Sequence, residues 1–140
     1  EKIMAYKKKF FAFLEQMPVL SIESPEILTI IKYSRIITSQ SVVIIDKLQE
    51  VSINSSNWNN IDVEFEKKLD IGEKSCVLSL KKKALSLGAN AIIGCDIDYA
   101  ELSNSKRTFL IAMMGTAVVV EEFNVLSEHE QRIYNCLLEE

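Results

Sequence analysis

The chain has 140 residues, a formal net charge of −4, 48% apolar and 26% charged residues, and only four glycines and two prolines. This is the composition of one globular domain, and it excludes a disordered or low-complexity chain. A pI near 5.2 argues against a general nucleic-acid binder.

Along the chain, Ile3, Met4, Tyr6, Phe10, Phe13, Leu14 and Met17 recur at three- and four-residue spacings and predict a helix over 2–16. Pro18 ends it, because the residue before a proline is pushed out of the helical region. A short strand, Val19 to Ile22, follows, and Ser24-Pro25 marks a turn. Residues 27–45 are dense in β-branched side chains and predict a strand. Lys32, Ser34 and Arg35 give it a solvated face, and its length predicts a bend or bulge near Ser39–Ser41.

Asn54-Ser55-Ser56-Asn57 and Asn59-Asn60 make 46–61 a loop by composition, of a length often used for function. Trp58 within it reads as a flap on the core or as an interface anchor. Residues 63–87 form the clearest helix, with Phe65, Leu69, Gly72, Cys76, Leu80, Ala84 and Leu87 on one stripe and lysines and glutamates opposite. Asp62 or Asn60 is placed to cap its start, and Gly88 suits the left-handed residue that ends it. Gly72 on the apolar stripe predicts close approach of another backbone.

Residues 90–99 alternate, with Ala91, Ile93, Cys95, Ile97 and Tyr99 on one side and Ile92, Gly94, Asp96 and Asp98 on the other, as in a half-buried strand. Ser103-Asn104-Ser105 is a hairpin turn, and Arg107 to Glu121 is the return strand. That strand is apolar on both faces, so it needs cover beyond one helix, which a subunit contact would supply. Residues 127–138 form a last amphipathic helix, with Ser127 and Glu130 spaced as a capping box. The fold class is α+β: a ββαββ unit with a long helix packed on an antiparallel sheet, flanked by N- and C-terminal helices.

Cys76, Cys95 and Cys136 lie far apart, with no CxxC, so structural zinc signatures are missing and a disulfide framework is a poor reading. A reducing cytoplasm is the expected setting. The longest apolar run, Phe109 to Val120, falls short of the ~20 residues of a helical span. Lys7-Lys8-Lys9 before Phe10-Phe11 belongs to an amphipathic helix rather than a signal peptide. The chain starts at Glu1 rather than Met, as an excised or processed piece would. There is no GxGxxG, GxxxxGK[ST] or GxSxG, and no catalytic constellation, so the expectation is a non-enzyme.

One stretch carries a family signal. Leu87-Gly88-Ala89-Asn90-Ala91-Ile92-Ile93-Gly94, Asp96-Ile97-Asp98-Tyr99 and Gly115-Thr116-Ala117-Val118-Val119-Val120-Glu121 resemble the YbjQ-like family, labelled for heavy-metal binding without an established activity. Arg35-Ile36-Ile37-Thr38-Ser39 is loosely similar to the family's GIVTG strand. The resemblance covers roughly 19–122 and is specific over 87–121. Asn54–Asn60 replaces the family's glycine-rich stretch, and Ser34 stands near a family glycine. The resemblance implies a ββαββ fold that assembles as a homopentameric ring, with no established enzymatic activity. The organisation is then an N-terminal amphipathic helix (1–17), a YbjQ-like α+β domain (18–122) and a C-terminal helix (123–140).

The motif residues have physical readings. Gly88 ends a helix, Asn90 bonds its own backbone through the turn, Gly94 and Gly115 leave space where another backbone or side chain approaches, and Thr116 continues the closing strand. Cys95, Asp96 and Asp98 are the metal-ligand candidates. Asp96 and Asp98, with Glu101 nearby, form an acidic patch that a ring would multiply and that suits a hard cation, or is simply a solvated strand face. Cys95 is a soft ligand only with partners from neighbouring chains, and otherwise a small core residue. Cys76 reads as core, the Cys136–His129 pair is too far apart for one metal, and Met113-Met114 reads as packing. Lys7–Lys9 and Lys81–Lys83 read as solvated helix faces rather than phosphate or membrane contacts.

Three functions follow, in order. The first is a homo-oligomeric assembly module whose partner is itself, presenting its terminal helices or the 46–61 loop to another protein. The second is a module binding a divalent or soft metal ion, zinc or copper, at subunit interfaces. The third is a small-molecule binder at an intersubunit pocket.

Overall fold

The computed structural model describes residues 2–23, 26–44, 55–103 and 108–138, with the backbone alone described for 55–64 and Ser103. The elements run α1 (Lys2–Gln16), β1 (Ile30–Ile44), α2 (Ser55–Ser86), β2 (Ala91–Ser103), β3 (Thr108–Val120) and α3 (Glu128–Leu138). The described strands form one antiparallel sheet in the order β1-β3-β2. The doubly apolar return strand thus takes the central place. Because β3 opposes both neighbours, β1 and β2 run parallel to each other.

The helix α2 lies across one face of this sheet, mostly over β1 and β3. Ile37, Val43, Ile111, Met113 and Ala117 join Cys76, Leu80, Ala84 and Leu85 in one buried core. Polar atoms at this contact are paired: the Ser39 hydroxyl donates to the Cys76 carbonyl at 2.8 Å, and the Cys76 thiol to the Ile111 carbonyl at 3.5 Å. Phe65 meets Phe109 edge-on at 5.4 Å.

The terminal helices close over α2. Phe10 packs edge-on against Tyr134 at 5.3 Å, and Lys9 pairs with Glu130. The Tyr134 hydroxyl donates to the Lys82 carbonyl at 3.2 Å, and the Gln131 amide to the Leu85 carbonyl at 2.6 Å. The capping box of α3 forms as its spacing predicts, with Glu130 N–H donating to Ser127 Oγ at 3.2 Å and Ser127 N–H to Glu130 Oε1 at 3.0 Å.

At the other end, α2 stops at Gly88, which has φ +81°. Its N–H reaches the Leu85 carbonyl and that of Ala89 reaches Ala84, the paired bonds of a Schellman ending.

Several expectations change. The predicted strand Val19–Ile22 is a single parallel bridge to Ile92, held by backbone bonds such as Leu20 N–H to Ile92 O at 2.8 Å. The irregularities of β1 fall between Ile30 and Lys32 and between Tyr33 and Arg35, not at Ser39–Ser41. Ser39 is instead held in register by its bond to the α2 backbone. The helix expected from residue 63 begins at Ser55. Asn60 and Asp62 are therefore interior rather than capping, and Trp58 lies on helical backbone. Asparagine and serine signal loops only weakly when a long apolar stripe downstream propagates the helix. The turns at Ser24-Pro25 and Asn104-Ser105, the last residue of the expected strand 27–45 and residues 46–54 of the expected loop lie outside the described residues.

The alternation in β2 also breaks. A bulge sits between Ile93 and Asp96, where Gly94 has φ +59°. One extra residue there reverses the side-chain phase. Ile92 before it and Cys95 and Ile97 after it all face the α2 core.

Candidate functional site

The sheet face away from α2 is where the structure leaves surface to be used. At one end it is covered: Ala91, Ile93, Val118 and Val120 form a second small core under Leu20, Leu28, Ile30 and Phe123. Beyond that cover it is open. Ile36, Val42, Ile44 and Met114 are each half or more exposed. Cross-strand rows place Thr38 beside Met114 and Asp96, and Gln40 beside Ala112 and Asp98. These residues line a shallow hollow of about 230 Å³.

Asp96 and Asp98 do share this face. The Asp96 carboxylate already accepts its neighbour's Ile97 N–H at 3.0 Å. Cys95 is on the opposite side, packed against the main core, where burial and then the nearby Asp96 charge push its thiol up. Three predicted metal ligands are therefore split between two faces. Among the described residues, no three His, Cys, Asp or Glu side chains gather as a metal site. The donors on the open face, two carboxylates with a hydroxyl, an amide and a thioether, suit a hard cation better than a soft heavy metal. Among the described residues of one chain that set is incomplete.

The edges matter as much as the face. Pro18 to Ile22 occupy the outer edge of β2 only as far as Cys95. Past that point, among the described residues, no strand lies outside β2, and none lies outside β1. The edge of β1 is guarded by side chains from α2. Lys68 Nζ donates to the Ile44 carbonyl at 3.1 Å, and Lys83 Nζ donates to the Thr38 carbonyl. Sequence reasoning missed this, because lysines opposite an apolar stripe read equally as a solvated face. On the β2 side, Tyr99 donates its hydroxyl to Glu73 of α2 at 2.5 Å, which pushes the phenol up to about 12.

The motif residues sit at turns and packing contacts of the sheet. Asn90 is buried, and it does not bond its own turn. Its amide nitrogen donates to the Val120 carbonyl at 2.8 Å and its oxygen accepts from Val120 N–H at 2.7 Å. A Cβ on Gly115 would sit 2.6 Å from Ile92 Cγ2, so the glycine clears space for that core side chain. Gly94 is needed for its backbone angle rather than for space. A Cβ on Gly72 would meet Val43 Cγ2 at 2.6 Å and Ile111 Cδ1 at 2.8 Å, so the close neighbours are side chains and not a backbone. Thr116 sits between Ile36 and Ile93.

These features define a small α+β domain with a helix-covered antiparallel sheet, edges left open in part among the described residues, and a helix-ending glycine–asparagine motif. The profile of the family described as "Putative heavy-metal-binding", YbjQ, matches residues 19–121, and the chain belongs to that family. Similar proteins include a UPF0145 protein of Listeria grayi, 30% identical over 93 residues. One from Acetivibrio thermocellus is 28% identical over 93 residues, and each alignment spans 66% of this chain and 88% of the relative. The crystal structure of a protein of unknown function from Pediococcus pentosaceus, assigned to the DUF74 family, is 18% identical with a TM-score of 0.48, covering 75% of this chain and 98% of the other. None of these names states an enzymatic activity. No helix among the described residues is long and apolar enough to cross a membrane.

Proposed function

We propose that this chain is the subunit of a homo-oligomeric ring, a pentamer by family resemblance, that acts as an assembly scaffold in the cytoplasm. The observation that carries the reading is that β1 and β2 run parallel at opposite sides of the sheet and that, among the described residues, the outer edge of β1 and that of β2 beyond Cys95 have no strand beside them. A rotation axis along the strands preserves strand direction. Laying β1 of one copy on β2 of the next therefore repeats the same parallel seam, and head-to-tail contacts that close make rings. A dimer through either edge alone would leave the other exposed, and exposed edges are a liability. The exposed Ile36, Val42, Ile44 and Met114 would gain cover in such an assembly. The terminal helices are the surfaces offered to another protein. Size-exclusion chromatography with light scattering tests the reading. A mass several times 15.9 kDa is expected, and a monomer throughout a concentration series would overturn it.

A second reading, metal binding, is favoured by the shared placement of Asp96 and Asp98 in the open-face hollow. A ring would repeat these carboxylates and complete a set that one chain leaves unfinished. Elemental analysis of the protein as purified, beside Asp96→Asn and Asp98→Asn variants, tests it. Equal metal content in all three would rule these residues out as ligands.

A further inference from the structure

The two edges differ in charge. Beside β1 the side chains are basic. Lys32 and Arg35 project from the strand itself, and their partners Val119 and Ala117 place them towards the α2 side. Lys68 and Lys83 reach the same edge from α2 and hold the Ile44 and Thr38 carbonyls. Beside β2 the side chains are mainly acidic, with Lys74 paired to Asp70 at 3.0 Å. Glu66, Asp70 and Glu73 recur at four and three residues, so they share one flank of α2. Glu73 fixes that flank over β2 through its bond from Tyr99. The open stretch of β2 adds Glu101, which is exposed and lies opposite Phe109 on the α2 side, whereas Asp96 and Asp98 lie on the far face.

We propose that the edge of β1 receives the edge of β2 from a second copy, in a seam selected by this opposition of charge. The proposal rests on the ring reading above and names its contact. The receiving surface is shaped for it: Val42, Ile44 and Ile71, each half or more exposed, line a hollow of about 270 Å³ at the outer edge of β1 beside α2. In the single chain, Lys68 and Lys83 satisfy two outward carbonyls of β1. An arriving strand brings N–H donors to those carbonyls and carboxylates to the released ammonium groups. The exchange replaces two hydrogen bonds by ladder bonds and opposite-charge pairs, so the resting contacts act as edge guards and not as obstacles. Like edges repel: β1 meeting β1 sets four cations against four, and β2 meeting β2 sets carboxylates together. Charge of this kind fixes partner and register more than raw affinity.

The test is sedimentation velocity on the full chain, with circular dichroism confirming the fold of each variant. Lys68→Glu with Lys83→Glu reverses one edge. Glu66→Lys with Glu101→Lys reverses the other and stands independently if the first pair fails to fold. Each pair is expected to weaken association by about tenfold or more. All four changes in one chain restore opposition, and association returns to within about threefold of the parent. Parent association should also weaken as salt rises, because partly exposed charges are screened. If the parent assembles and both folded pairs assemble equally well, the seam is wrong while the ring stands. If either pair weakens assembly and the four-way variant does not recover it, charge opposition is not what selects the contact. A parent that is monomeric at all concentrations overturns ring and seam together.

Discussion

Asn90 grips Val120 at both ends of its peptide unit, donating to its carbonyl at 2.8 Å and accepting from its N–H at 2.7 Å. The backbone N–H of Asn90 also reaches the Val118 carbonyl at 3.0 Å. The side-chain amide thus imitates one more strand residue, fastening the start of β2 to the end of β3. The same amide reaches the Phe123 carbonyl at 3.2 Å, tying the chain that leads into α3.

Asn90→Ala therefore takes the side-chain acceptor from the buried Val120 N–H and leaves the Val120 carbonyl with only the longer bond, 3.4 Å, from Phe123 N–H among these contacts. The expected loss is about 2 kcal/mol of unfolding free energy, from one stranded group at roughly 1–3 kcal/mol. Urea denaturation measures it. Asn90→Asp keeps the acceptor and loses the donor, and should also destabilise. A loss under about 0.5 kcal/mol for Asn90→Ala, the range of ordinary surface changes, would show that the clamp contributes little.

Gly72→Ala tests the helix–sheet contact. Alanine gains about 1 kcal/mol of helix propensity over glycine. Its methyl would stand 2.6 Å from Val43 Cγ2 and 2.8 Å from Ile111 Cδ1, and overpacking costs roughly 1–3 kcal/mol. A net loss of about 1 kcal/mol is expected, from subtracting the propensity gain from the packing cost. Adding Val43→Ala should ease the clash, so the two changes together cost less than their sum. Strict additivity would contradict this packing account.

The pH dependence has two arms. The Glu130 carboxyl is held below its ordinary value of 4.5, first by Lys9 and then by the Ser127 N–H. A lowered carboxyl stabilises the fold above its unfolded value, and that contribution is lost as pH falls through the folded one. Burial alone pushes the Tyr134 phenol up to about 12 from 10.0. Its contribution is complete below pH 10 and is lost as pH rises towards 12. Thermal melts should show Glu130→Gln flattening the acid arm and Tyr134→Phe flattening the alkaline one. Unchanged arms would mean other groups set them.

The thiols should react in order of exposure. Cys136 is exposed, Cys95 half-buried and Cys76 buried, with burial raising the thiols of the last two. An aromatic disulfide reagent at neutral pH should find one fast thiol in the native protein, and Cys136→Ser should abolish that phase. A fast phase that survives this change would show that the edge near Cys95 opens readily.

The sequence made the α+β class legible because periodicity survives in single elements: the stripe from Phe65 to Leu87, the cap at Ser127 and the stop at Gly88. It failed where one residue alters the phase. The bulge at Gly94 is invisible to alternation, so Ile92 was expected beside Asp96 and lies instead on the face of Cys95. The same bulge preserves the shared placement of Asp96 and Asp98, which follow it. The start of α2 was misread because asparagine and serine suggest loops locally, while helix propagation is set by the packed stripe beyond them. The charge division between the edges was unreadable in one dimension. Lys68 and Glu73 are close in sequence, and only the sheet beneath α2 sends one towards β1 and the other towards β2.

The central claim is that this chain assembles with itself through its sheet. Native mass spectrometry of the untagged protein, purified without chelator, tests it most directly, since it reports stoichiometry and bound mass together. The account predicts a species at five times 15.9 kDa. A species at 15.9 kDa alone, unchanged on raising the concentration, would contradict it.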